Sequence, residues 1–497
     1  MCPFVRLWAV TDLNSSTLSN ANDNVVIPPY DRDETLSGVV HFGLGGFSRA
    51  HLAMYLDRAL SEGGEPGWGV CGVGLMPGDA RMRDVLAAQD RLYTLVTRSP
   101  DGATTARVIG SVAEYLYAPD SPEAVIEKLA SPEVRIVSLT VTEAGYGVDD
   151  VTGRFDLDRA GARADAVMGA APTTVWGYLV AGLARRRECG IPPFTVLSCD
   201  NIQGNGAVAR EALVGFARAA APDLADWIAS EVAFPNSMVD RITPATTPED
   251  VDVVEQLTGL RDAWPVCAEE FAQWVIEDRF PTGRPALEAV GAQFVADVAP
   301  YEKMKLRLLN ASHQAMSYLA LLAGFTHVHD VVDDPDFAAF LGGYMREEAQ
   351  PTLDPVPGID LAAYRAQLLA RFSNRAIQDT LARQVVDGSD RIPKFLMPVI
   401  EDRLAAGGSL ARSALVLAAW QACLVRGARD ARQRVITHDA RLEVLEAAAV
   451  ADEADPGAFL THVPTLGVDD PRLREAYLAA RSLLAERGPR GAAIALA

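Results

Sequence analysis

The sequence predicts an α/β N-terminal domain built on a parallel sheet, followed by a mostly α-helical C-terminal domain. Three observations predict this. The chain has 497 residues, too many for one ordinary core. Short buried-strand candidates alternate with helical stretches through its first part, the βαβ rhythm of a parallel sheet. After about Pro285 the texture turns to long amphipathic runs rich in Ala and Leu, with few β-branched clusters. We place the division near residue 290, giving domains of 1–290 and 291–497.

The elements follow in chain order. Residues up to Ser37 are polar and carry Pro28-Pro29, which reads as an arm laid over the body. Val39-Val40-His41-Phe42 is a buried strand, Gly43-Leu44-Gly45-Gly46 a tight turn, and residues 47–60 have the apolar spacing of a helix. A second strand is expected over 68–75, closed by Pro77-Gly78, with further strands over 135–142 and 194–198 and a helix over 173–187. The tail after Glu486 reads as frayed.

Composition narrows the function classes. A hydrophobic fraction of 49% with 22% charged residues is that of a globular protein. No stretch has the apolar length needed to cross a bilayer, and the first ten residues, interrupted by Arg6, lack the layout of an export signal, so a cytoplasmic protein is expected. Six cysteines, Cys2, Cys71, Cys189, Cys199, Cys267 and Cys423, form no CxxC pair, which argues against a zinc site or a disulfide framework. The net charge of -21 repels nucleic acid and anionic membranes. Of 45 basic residues only four are lysines, Lys128, Lys303, Lys305 and Lys394. A lysine that persists amid such arginine bias marks a position that needs an amine able to lose its proton, unless the four are chance survivors.

The glycine turn after the first strand suits the pyrophosphate of a dinucleotide. Gly43 lets the chain turn and Gly45 lets the backbone approach a pyrophosphate at the next helix. Ser48 stands where the usual third glycine would be, and an ordinary strand-to-helix turn is the bland alternative. Asp79, after the second strand, is placed to bind ribose hydroxyls and repel a 2′-phosphate, which favours NAD over NADP, although Arg81 and Arg83 could attract such a phosphate.

The richest segment is 301–322. At about 100° per residue, Glu302, Lys305, Asn310 and His313 fall within about 140° on one side of a helix. Leu306 and Leu309 share that arc, which suggests a face turned toward protein and not toward water. An acid, an amine, an amide and an imidazole together supply what hydride transfer from a secondary alcohol needs, a base for the hydroxyl proton and donors for the developing alkoxide. Lys305 is the candidate base. Tyr301-x-x-x-Lys305 also matches the tyrosine-lysine pair of short-chain dehydrogenases, but it lies too far beyond Gly43 for that compact fold and lacks the upstream serine. Zinc alcohol dehydrogenases are disfavoured by the absence of Cys/His clusters.

Taken together, Gly43-Leu-Gly-Gly-Phe-Ser-Arg-Ala-His51, Thr140-Val-Thr-Glu-Ala-Gly-Tyr146, Ser198-Cys-Asp-Asn201, Phe234-Pro-Asn-Ser-Met-Val-Asp-Arg-Ile-Thr-Pro244, Lys305-x4-Asn310-x2-His313 and Asp387-Gly-Ser-Asp-Arg-Ile-Pro393 resemble the long-chain polyol (mannitol) dehydrogenase family over nearly the whole chain. The resemblance implies a Rossmann-type domain, a helical domain and a substrate cleft between them. It implies Lys305 as general base, Asn201 and Asn310 as donors to the reacting oxygen, His313 positioning substrate, and Glu302 gating a proton path. Asp240, Arg383 and Arg391 would hold other hydroxyls, while Gly43, Gly45, Gly46, Phe47, Arg49 and Asp79 would serve NAD. Arg391 departs from the lysine frequent in relatives, and Asp240 with Arg241 could instead be a structural ion pair.

By this resemblance the expected reaction is metal-independent oxidation of D-mannitol at C2 to D-fructose, and its reverse, by a monomer with a small polyol or ketose as its partner. D-arabinitol 4-dehydrogenase and hexuronate reductase activities are the alternatives within the family. A dinucleotide sensor without catalysis is the alternative of another class.

Overall fold

The computed structural model describes residues 11–149, 152–159, 161–167, 169–463, 466 and 469–497. The expected arm begins within residues 1–10, which, like the export-signal reading and Cys2, lie outside the described residues. The chain divides into two compact units, one of the residues to Ser99 together with Ala103–Val298, the other of Pro100–Gly102 with Ala299–Ala497. Residues just past 290 stay with the first unit because Gln293–Val295 pairs in parallel with Gln273–Glu277.

The first unit is organised by five parallel strands: β1 (Val39–Phe42), β2 (Val70–Gly74), β3 (Val112–Tyr117), β4 (Ile136–Leu139) and β5 (Thr195–Ser198). Their order in the sheet is β3-β2-β1-β4-β5, so the chain reverses direction of travel between β1 and β4. Side-chain alternation explains why both faces are covered. Val40, Phe42, Val137 and Leu139 enter one core with helices Pro122–Ala130, Val175–Glu188 and Asn205–Ala220. Val39, Val70, Ile136 and Leu197 face the other way, against Leu52–Ser61 and Ala80–Ala88. This doubly wound sheet is the Rossmann-type architecture expected, with strand ends within a few residues of their predicted positions.

Smaller sheets complete the unit. Tyr93–Arg98 and Thr104–Ile109 form an antiparallel pair, extended by Val266–Glu269 and Val25–Val26. Thr11–Asp12 pairs with Leu260–Arg261, so the polar opening segment is stitched into the unit by backbone bonds. The helix expected over 47–60 is broken at His51 (φ -120°, ψ -86°), leaving Gly46–Ala50 and Leu52–Ser61. His51 is fully buried, hydrogen-bonded through Nε2 to the Gln273 carbonyl and stacked on Phe47.

The second unit is helical throughout its long elements. Ala411–Arg429 runs through its centre, with Leu415, Leu417, Ala419 and Trp420 fully buried, and packs against Ala311–Ala323, Leu442–Ala454 and Pro471–Ala495. The tail expected to fray after Glu486 does not: the chain kinks at Gly488 and continues helical to Ala495, with Ala492 and Ala493 fully buried. Two buried methyls supply the packing that the composition of the tail did not advertise. Among the described residues no helix is long and apolar enough to cross a membrane.

Candidate active site

In an open parallel sheet, ligands bind beyond the carboxyl ends of the strands where the strand order reverses. Here that point lies between β1 and β4, and the predicted residues of the first unit gather along this edge. Gly43 follows β1 with φ +87°, and a Cβ there would sit 2.1 Å from the Thr140 carbonyl oxygen, so the turn requires glycine. Gly45 differs, since a Cβ there would meet only the Gly43 oxygen at 3.8 Å, and one at Gly46 only Thr243 at 3.9 Å. These two therefore present backbone to open space. Ser48 closes the turn from within, its hydroxyl 3.2 Å from the carbonyls of Gly43 and Gly45. Phe47 is half-buried on His51, and Arg49 is buried beneath the turn, donating from Nη1 to the Trp264 carbonyl and from Nε to that of Gly45.

A residue that the sequence marks only as part of a buried strand proves central to this turn. His41 in β1 lies opposite Ser138 in β4 and is fully buried. Its Nδ1 is 2.8 Å from the Ser138 hydroxyl and its Nε2 2.7 Å from the Thr140 hydroxyl, which in turn donates to the Gly43 carbonyl at 2.8 Å. Since Thr140 donates onward, it accepts from His41 Nε2–H, which fixes the tautomer. Burial pushes this imidazole down to about 4, so it stays neutral and locks β4 to the glycine turn.

Asp79 ends the short turn Pro77–Asp79 after β2 and accepts from the Met76 amide at 2.8 Å; among the described residues its carboxylate makes no other hydrogen bond. Both competing arginines are engaged elsewhere: Arg81 lies 4.2 Å over the Trp264 ring, and Arg83 pairs with Asp84 and Asp120. Asn201 is exposed just past β5. The preceding Asp200 accepts from Tyr146 (2.7 Å), Val141 N (3.0 Å) and Thr142 N (3.1 Å), and its burial raises the carboxyl pKa against those bonds. Thr142, a β-branched residue, is held at φ +64°. Asp200 therefore ties two strand ends together at the sheet edge, and explains why Thr140–Tyr146 and Ser198–Asn201 read as linked motifs. Asp240 ends strand Ser237–Asp240 and is buried, while Arg241 directs its guanidinium to the carbonyls of Glu269 and Ala50.

In the second unit, Glu302, Lys305, Asn310 and His313 share one helical run, but not the uniform α-helix expected. Ala299–Lys305 is α-helical, Leu306–Asn310 forms a π turn, and Ala311–Ala323 resumes the α-helix. The difference matters for alignment. In an unbroken α-helix Lys305 and Asn310 would be about 140° apart, whereas closure from i to i+5 makes them successive members of one face. Leu306 and Leu309 are buried, as are Glu302 at 7% and Lys305 at 6% exposure, so this face meets protein. Lys303, by contrast, is partly exposed beside Asp354 and Asp402. The Tyr301 hydroxyl donates to the Pro357 carbonyl at 2.8 Å.

Two polar atoms on this face, Asn310 Oδ1 and His313 Nδ1, are buried without a hydrogen bond. Such orphans are costly and mark places where a ligand can supply the partner. His313 packs on Phe372, and burial pushes its imidazole down to about 4, assisted by the charges of Arg383, Arg371 and Arg391 and opposed by Asp379. Asp379 was missed by sequence reasoning. It takes a two-pronged ion pair from Arg383, 2.9 Å at each oxygen, and a bond from Gln384 Nε2 at 2.8 Å. Arg391 donates to the carbonyls of Arg383 (3.3 Å) and Gln384 (3.1 Å), and Gln314 also donates to the latter. Arg383 and Arg391 are thus joined through one backbone segment to the His313 helix. The only available signal was an acid four residues before Arg383.

Comparison with known proteins places this geometry. The mannitol dehydrogenase Rossmann domain matches residues 37–289, and the mannitol dehydrogenase C-terminal domain matches residues 297–477. The chain belongs to the mannitol dehydrogenase family. Mannitol 2-dehydrogenase of Phaeosphaeria nodorum is 47% identical over 445 residues, 89% of this chain and 78% of that protein. The Neosartorya fischeri enzyme is 45% identical over 483 residues, 94% of each. Pseudomonas fluorescens mannitol 2-dehydrogenase, solved in ternary complex with NAD and D-mannitol, superposes with a TM-score of 0.88 at 43% identity, covering 98% of this chain and 99% of that one. Substrate-free D-sorbitol dehydrogenase gives the same score at 36% identity, covering 97% and 100%.

Proposed function

We propose that this NAD-dependent polyol dehydrogenase of the mannitol dehydrogenase family oxidises D-mannitol at C2 to D-fructose, and runs the reverse reduction, with Lys305 as general base and without a metal ion. The observation that carries the reading is the buried Lys305 brought by the π turn onto one helix face with Asn310. The first unit fits NAD on its own terms. Gly45 and Gly46 offer backbone where a side chain would find space, and Asp79 offers a carboxylate suited to ribose hydroxyls, with Arg81 and Arg83 occupied. Phe47 shapes the rim of the turn, while Arg49 braces it from below.

Bound NAD supplies the acceptor for the hydride that leaves C2. The residues of the chain handle the proton and the substrate hydroxyls. Lys305, as the neutral amine, takes the C2 hydroxyl proton, leaving the ketone. Asn201 and Asn310 donate to the oxygen while its charge grows, the interaction that strengthens most in the transition state. Glu302, three residues before Lys305 on the same helix, passes the proton toward water. His313 positions the substrate, and Asp240, Arg383 and Arg391 receive its remaining hydroxyls. We read the protein as a cytoplasmic monomer.

The test is a rate comparison of D-mannitol, D-sorbitol, D-arabinitol, D-fructose and D-fructuronate with NAD(H) and NADP(H), on protein dialysed against a strong chelator. Highest kcat/KM for mannitol and fructose with NAD(H), with kcat unaltered by chelation, is expected. A better hexuronate rate would move the assignment to a reductase, and loss of turnover on chelation would overturn the metal-free chemistry.

A further inference from the structure

Among the described residues, His327, His329 and Asp330 are the one group of three or more His, Cys, Asp or Glu side chains whose ligand atoms could converge on a metal ion, lying within 4.8 Å of one another. His327 immediately precedes helix Val328–Asp333, which carries the other two. The imidazoles stack nearly parallel, with centroids 5.1 Å apart and planes 18° from each other. Asp330 faces both: one carboxylate oxygen is 3.6 Å from His327 Nδ1, the other 3.4 Å from His329 Nε2.

Those spacings are too long for hydrogen bonds. They match the spacing of two ligands that share a cation, since donors on a tetrahedral ion with bonds of about 2.0–2.1 Å lie about 3.3–3.4 Å apart. His329 is only 6% exposed, and the nitrogen that faces Asp330 is Nε2, so a cation held there is shielded from competing water.

We propose that His327, His329 and Asp330 form a binding site for a divalent cation of the zinc class, the borderline-soft type that two imidazoles and a carboxylate select. The remaining coordination is left to water. Arg375 is the positive neighbour, 3.9 Å from Asp330, but its other nitrogen is anchored on Asp333, so the cation competes with a weak pair and not a closed one.

The site has a structural task suited to its position. Val328 N donates to the Asp379 carbonyl and Leu381 N to the Thr326 carbonyl, each at 2.9 Å, with His327 bridged to Thr380. A cation on His327 therefore stiffens the segment that presents Asp379, the carboxylate that orients Arg383. No step of alcohol oxidation passes through it.

The experiment uses full-length, tag-free protein stripped with chelator, then titrated with Co2+ followed by visible absorption, and with Zn2+ followed by calorimetry and thermal unfolding. Expected are one equivalent of cation, a d–d band that reports nitrogen ligation, and a Zn2+-dependent rise in Tm. His327→Ala and Asp330→Asn, both on partly exposed side chains, should weaken binding by more than about tenfold and abolish the Tm rise, while the stripped variants keep the turnover of the stripped wild type. Failure of the wild type to take up an equivalent at about tenfold molar excess of cation, or binding by both variants at wild-type strength, overturns the site.

Discussion

Removing the amine of Lys305 tests the chemistry most directly. A positioned general base contributes about 10²–10⁴ in rate. Lys305 is 6% exposed, so bulk water is a poor substitute for the missing group, and its neighbours on the helix remain to bind substrate. We therefore expect Lys305→Ala to lower kcat by about 10³, or about 4 kcal/mol at 1.36 kcal/mol per decade. NADH affinity should stay within a few-fold, because the glycine turn and Asp79 belong to the other unit. Steady-state oxidation of mannitol gives the first number and quenching of protein fluorescence by NADH the second. Small primary amines added to the variant should restore part of the rate in proportion to their free-base concentration. Wild-type turnover in the variant would refute the assignment of the base, and loss of NADH binding would mean that the lysine matters for another reason.

The two glycines of the turn should separate folding from binding. Gly43→Ala forces φ +87° on a side chain 2.1 Å from a carbonyl and should cost about 3 kcal/mol of stability by urea unfolding. Gly45→Ala should stay within about 1 kcal/mol of wild type, yet weaken NADH by more than about tenfold in the same fluorescence titration. Asp79→Ser should lower kcat/KM for NAD and raise it for NADP, read as a shift in the ratio of about tenfold or more. Asp379→Asn releases the bidentate partner of Arg383 and should raise KM for polyol with less than about a threefold change in kcat. For His41 the folded pKa of about 4 lies below the ordinary 6.5, so the unfolded chain binds the extra proton and the stability contribution, complete above 6.5, drains away as pH falls toward 4. Wild type should lose about 3 kcal/mol relative to His41→Gln across that window, measured by urea midpoints at successive pH values.

Much of the sheet was legible because its chemistry is local. The strands at Val39, Val70, Ile136 and Thr195 are compact, bounded by turn residues and apolar on both faces, as a doubly covered parallel sheet demands. β3 escaped because Glu114 and the partly exposed Tyr115 and Tyr117 interrupt its apolar character. The lysine helix was legible in composition but not in register: nothing in Leu306-Arg307-Leu308-Leu309 announces a wider turn, since the same leucines suit either geometry. His41 and Asp379 act through partners brought close by folding, so their importance appears only once Thr140 and Arg383 are in place. Arg49, which the resemblance gives to NAD, and Arg241, weighed as an ion partner of Asp240, both send guanidinium donors to backbone carbonyls inside the first unit, contacts that only the fold reveals.

The widened turn at Leu306–Asn310 has one further consequence. Such a turn accommodates one residue more than its ordinary counterpart, so loss of any single apolar residue there would let the helix close up as a regular one. The halves on either side would then keep both their packing and their phase, because the wider turn takes up its extra residue without advancing the helix. The spacing along the chain between amine and amide can thus differ by one while both stay on one face, provided that the turn between them widens or tightens to match.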